Sequence, residues 1–143
     1  MKLLSLTLGV SVLFAAWQWF RPYEWSPDPG ARYVVGQTML ERDTSHFWLR
    51  VFLKQKGGES HDFMKPVLLI TAAGREHEPG DTAMSGNAAR GMEEMTFSFW
   101  LAEDDLKGPL KLKLNDGTLL IRTGDSLPRV ADGAFRVFNS TRW

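Results

Sequence analysis

The chain contains no cysteine. Disulfides, thiolate metal sites, thiol nucleophiles and lipid attachment through a lipoprotein cysteine are thereby excluded. The compartment stays open, because many domains outside the bacterial cytoplasm also lack cysteine. Net charge is missing as well, since 17 basic residues offset 17 acidic ones. Composition therefore gives neither a nucleic-acid footprint nor an acidic disordered tail. There are no internal repeats or low-complexity tracts, and helix-period stretches are scarce, with one helical turn expected within Gly86 to Met95. No Gly-x-Ser-x-Gly elbow occurs, and Gly57-Gly58 lacks the Lys-Ser/Thr ending and following helix of a phosphate-binding loop.

What is present begins with an apolar run. Leu3 to Phe20 is eighteen residues long without a charge. As a helix it would measure about 27 Å, close to the roughly 30 Å of a hydrocarbon core. Lys2 provides a positive start, and Trp17, Trp19 and Trp25 cluster at the far end, as aromatic rings do at a headgroup layer. Around Ala15 and Ala16 the residues required for signal cleavage are poor, and bulky Trp17 follows. Residues 1–21 are thus expected to form an uncleaved transmembrane signal anchor. Residues 22–31, with Pro22, Pro27, Pro29 and Gly30, form a stiff linker. The short signal-like start favours an N-terminus inside and a domain outside, in the periplasm at a cell inner membrane.

Residues 32–143 carry the punctuation of an all-β domain, with short β-branched and aromatic runs between Gly, Pro, Asn and Asp. Strands are expected at Tyr33 to Met39, His46 to Gln55, Val67 to Thr71, Glu94 to Leu101, Leu110 to Leu114, Thr118 to Arg122 and Ala134 to Phe138. His46 to Lys54 is apolar on both faces apart from His46, Arg50 and Lys54, as in a central strand. Met95 to Leu101 alternates, with Met95, Phe97, Phe99 and Leu101 on one face and Trp100 on the other. Asp116-Gly117 predicts a two-residue type I′ hairpin pairing Leu114 with Leu119 and Leu112 with Ile121. Lys111 then lies beside Arg122 on the solvent face.

Val35-Gly36-Gln37-Thr38, Phe47 to Lys54, Leu68 to Gly74, Glu78-Pro79-Gly80-Asp81, Phe97-Ser98-Phe99 and Leu110 to Ile121 follow one another in an order that resembles the bacterial telokin-like, immunoglobulin-like extracytoplasmic domains. The resemblance covers nearly the whole domain in short pieces. The chain departs from the pattern in lacking a lipidation cysteine and a proline closing the Phe97 strand, and in extra residues between Asp81 and Met95. It implies an immunoglobulin-like antiparallel β-sandwich and no reaction.

Candidate chemistry is thin. His61 and His77 with Met84 and Met92 hold donor types suited to zinc or copper, so a metal-binding or metal-delivery domain is the alternative function. No His-x-x-x-His spacing places two ligands on one element. Glu93-Glu94 and Asp104-Asp105 are adjacent pairs that alternate faces in a strand, and read as solvated edge charge. Ser60-His61 and Ser85-Gly86 supply residue types for a hydrolase but no arrangement of them. No catalytic residue, cofactor, nucleic acid or small-molecule substrate is expected. Trp100 and Trp143 are the expected interaction anchors, since exposed indoles are enriched where proteins dock. Charge is polarised: eight acidic residues against Arg90 alone between Glu76 and Asp105, then seven basic against three acidic from Leu106 onward. The split reads first as two solvated edges of one domain, with a polarised surface that steers a charged partner as the alternative. The expected function is a membrane-anchored, non-enzymatic interaction or assembly subunit.

Overall fold

The computed structural model describes Thr7, residues 9–13 and residues 28–143. Thr7 and residues 9–13 are helical. Among the described residues no helix is long and apolar enough to cross a membrane. Most of the anchor, including Trp17, Trp19 and Trp25, lies outside the described residues.

Nine strands follow: β1 (Tyr33–Asp43), β2 (His46–Gln55), β3 (Leu68–Ile70), β4 (Glu76–His77), β5 (Asp81–Asn87), β6 (Gly91–Ala102), β7 (Leu110–Leu114), β8 (Gly117–Arg122) and β9 (Phe135–Phe138). They form two antiparallel sheets, a five-stranded one in the order β5-β6-β2-β1-β9 and a four-stranded one in the order β4-β3-β7-β8. One apolar core is shared by both. Leu40, Leu49, Val51, Phe97, Phe99 and Leu101 enter it from the first sheet, and Leu69, Leu112, Leu114, Leu119 and Ile121 from the second. β2 is the middle strand of five; its inner face of Phe47, Leu49, Val51 and Leu53 is buried, and Trp48, Arg50 and Phe52 on its outer face are half-buried.

The domain starts earlier than Arg32. Pro29–Ala31 form a 3-10 turn capped by Asp28, whose Oδ1 accepts from Gly30 N at 3.0 Å and Oδ2 from Thr118 N at 3.0 Å. Ala31 is fully buried. Gly117 is required here, because a Cβ would run into the Ala31 nitrogen.

Three expectations are corrected. The helical turn expected within Gly86 to Met95 is a β-hairpin joining β5 to β6. Asn87 Oδ1 accepts from Ala89 N and Arg90 N, and Gly91 restarts the strand at φ 72°. Every residue of β5 is exposed, so it carries no apolar alternation to betray a strand. The β7–β8 hairpin turns one residue earlier than Asp-Gly predicts, so Leu112 pairs with Leu119 and Leu114 with Gly117. Asn115 takes the positive φ of 52° instead. Because the slip moves each pairing by two residues, the inward set is unchanged. Third, an irregularity between Leu110 and Lys111 pairs Leu110 with Arg122. Arg122 consequently turns inward, only 1% exposed, rather than lying beside Lys111 in solvent.

Candidate functional site

Opposed residues in a sheet share a face, and the register of the five-stranded sheet therefore defines what its outer surface presents. One row runs Phe135, Glu41, Trp48, Trp100, and the next runs Val137, Met39, Arg50, Ser98, Asp81. The Trp100 ring stacks on His46 at 5.1 Å and 4°, and leans on Trp48 at 4.8 Å. Gly80 lies against the Trp48 ring. Trp100 is 40% exposed, Phe135 63% and Val137 44%. An Arg50–Glu41 ion pair of 2.9 Å is set among them. Apolar and aromatic side chains thus surround the Arg50–Glu41 pair, with Asp81 on the edge strand. Chemically it can bind, and at its edge Ser45 Oγ stands 3.1 Å from His46 Nδ1 in the exposed β1–β2 turn.

Trp48, within the β2 run, is half-buried on this outer face. That placement gives Trp100 two aromatic neighbours. Phe135 and Val137 add to the same patch through β9, a contribution that short-range pattern does not reveal. The other proposed anchor, Trp143, lies elsewhere. It is half-buried, stacked on Phe138 at 4.4 Å and crossed by the Arg122 guanidinium at 5.2 Å. Its carbonyl accepts from Arg122 Nε and Gly124 N.

The metal candidates are dispersed among separate partners. His61 is buried, with Nδ1 2.8 Å from Asn115 Oδ1 and its ring edge-on to Phe63 and Phe97. His77 stands in β4 with Nε2 3.1 Å from Asp105 Oδ1, an ion pair when the ring is protonated. Met84 is exposed on β5, and Met92 packs against the core with its carbonyl accepting from the Tyr33 hydroxyl at 2.7 Å. Burial pushes the Tyr33 hydroxyl above its usual pKa, against the opposing effects of the His61 backbone hydrogen bond and the Arg32 charge. Among the described residues no group of three or more His, Cys, Asp or Glu converges on one point.

Of the paired acids, Glu93 and Asp104 meet solvent-side cations, Arg90 at 3.2 Å and Lys107 at 2.7 Å. The hydrogen bond from Lys107 holds Asp104 below the usual carboxylate range. Asp105 is not edge charge but a buried carboxylate, which corrects the sequence reading. It accepts from Ala102 N at 2.9 Å and stands 2.8 Å from Arg75. It joins the turn after β6 to the β3–β4 hairpin of the other sheet. An acid three residues after a strand end was the available signal.

A cleft of about 980 Å³ opens where β8 and the first half of β1 face each other unpaired. Val35, Leu119, Ile121 and Phe138 line it, with Asp28 and Lys111 toward its rim. These residues do not form an acid-base or nucleophile-base pair. Comparison of the chain with protein-family models, curated proteins and solved structures gives no match.

Proposed function

We propose that this chain is a membrane-anchored, non-enzymatic interaction subunit, with an immunoglobulin-like sandwich outside the cytoplasm that docks a protein partner on its five-stranded sheet. The strand order supports the immunoglobulin-like assignment. β1-β2-β6-β5 corresponds to the A-B-E-D sheet of that fold and β4-β3-β7-β8 to C′-C-F-G, with β9 added beside β1. Such a topology carries no function by itself. The observation that carries the function is the Trp100–Trp48 ring pair with Phe135 and Val137 exposed across the Glu41–Arg50 pair on the same outer sheet face. Soluble domains ordinarily keep such contiguous apolar area small, and larger patches mark docking sites. The membrane part rests on the Leu3 to Phe20 run and its flanking tryptophans.

A photo-crosslinking residue placed at position 100 or 137 in the full chain, in its native membrane, should give adducts with one common protein. The same residue at Lys111, exposed on the other sheet, should give none. Equal adducts from Lys111, or none from 100 and 137, would remove the sheet face as the docking surface.

A further inference from the structure

The most exposed apolar side chains of the described domain are not on the sheet face alone. Phe63 is 62% and Met64 91% exposed, at the centre of a tight turn closed by Lys65 N to Asp62 O at 3.1 Å. Turn centres favour Gly, Asn, Asp, Ser or Pro, each for a backbone reason. Phe63 makes one edge-on ring contact with His61 at 5.1 Å, yet most of its surface and nearly all of Met64 stay exposed. The turn is nonetheless held rigidly. Asp62 Oδ1 accepts from Met64 N at 3.0 Å, Asn115 Oδ1 accepts from Asp62 N at 2.8 Å, and Tyr33 Oη accepts from His61 N at 3.1 Å. Arg32 donates to Ser60 O at 2.8 Å, and Lys65 pairs with Asp116. A pinned loop presenting apolar tips is built to be covered by something outside the domain.

Its position says what covers it. Asn115 donates to Ala31 O at 2.7 Å and Asp116 N to Gly30 O at 3.0 Å, so the turn lies at the end of the sandwich where the chain arrives at Asp28. The uncharged run ends at Phe20, and the eight steps from there to Asp28 span at most about 29 Å when extended. A bilayer holding that run is therefore within reach of this end. We propose that Phe63 and Met64 insert into the interfacial layer of a lipid bilayer, as a second membrane contact that fixes the tilt of the domain. The proposal rests on the membrane reading above, and the test separates the two. The nearby ion pairs Arg32–Glu59 and Lys65–Asp116 cancel and the Asp62 carboxylate is left over, so the contact is apolar insertion rather than attraction to anionic headgroups.

Because the chain has no cysteine, single labels are unambiguous. Met64→Cys, Leu13→Cys and Lys111→Cys versions of the full chain, each carrying an environment-sensitive dye, are reconstituted into phosphatidylcholine vesicles with and without chain-quencher lipid. Exposed positions make these changes harmless to folding. The Met64 and Leu13 labels should be quenched several-fold more than the Lys111 label, and no more strongly when anionic lipid is added. Quenching at Leu13 with Met64 at the Lys111 level would overturn the loop proposal and leave the anchor. Quenching at Met64 without Leu13 would uphold the loop and overturn the anchor. Quenching at neither, or equally at all three, would overturn the loop contact.

Discussion

At the residue scale, Arg122 shows how much one side chain can organise. Its guanidinium is buried and donates to four main-chain oxygens, those of Leu106, Gly108, Ser126 and Trp143. Burial pushes its pKa down, with the charge of Asp125 opposing that, but a guanidinium stays protonated under these conditions. Five donors in a planar fork suit several carbonyls at once, which a compact ammonium does not match. Arg122→Met should thus strand buried acceptors and cost about 3 kcal/mol or more, at roughly 1–3 kcal/mol for each unsatisfied group. Arg122→Lys should recover less than half of that loss. Denaturant unfolding of the three proteins measures both, and a Met variant within about 1 kcal/mol of the parent would show the carbonyls to be satisfied by water.

At the scale of the element, β6 separates core from surface between neighbours. Phe99 is fully buried, while Trp100 points out between His46 and Trp48. Phe99→Ala should open a core cavity and cost about 3–5 kcal/mol. Trp100→Ala loses two ring contacts, worth about 0.5–1.5 kcal/mol each, so its cost to folding should stay near 1–2 kcal/mol. Its cost to partner binding should reach about 2 kcal/mol or more. Thermal melts and binding measured on both variants test this, and binding that falls only as far as stability does would place Trp100 with the core. Strands of this kind were legible in the sequence because period-2 alternation records burial, and β2, β7 and the inward faces of β6 and β8 lie as alternation expects. β5 was not legible, because an edge strand exposed on both faces needs no alternation. The hairpin register was misread because Asn115 is held by tertiary bonds to His61, Asp62 and Ala31. Those bonds outweigh the local preference of Asp-Gly. For the same reason the candidate site was half visible: Trp100 follows from parity along one strand, whereas Phe135 and Val137 join it only through a pairing almost a hundred residues distant.

At the scale of the molecule, the two ends of the sandwich have different roles. Asp28, the Phe63–Met64 turn and the β7–β8 turn share one end, because each bonds to the next. β8 runs away from that end toward Arg122, and Trp143 bonds beside it at Gly124, so the last residue of this chain lies at the far end. A domain held at a bilayer by its first end presents its aromatic sheet face sideways, where a neighbour in the same membrane can meet it. Orientation across the bilayer is a separate matter, and charge counting is close to balanced: Lys2 and the α-amine on one side, Arg21 and Arg32 on the other. The short positive start followed at once by the apolar run has the form of a signal anchor, and the function proposed above puts the domain outside the cytoplasm on that ground. A reporter enzyme active only outside the cytoplasm, fused after Trp143, leaves the domain at the end away from the bilayer, so its activity reads sidedness rather than crowding against lipid. The fusion should be active and should stay with the membrane through carbonate extraction. An intact but inactive fusion would reverse the orientation, and an active fusion released to the soluble fraction would mean that the N-terminal run is removed.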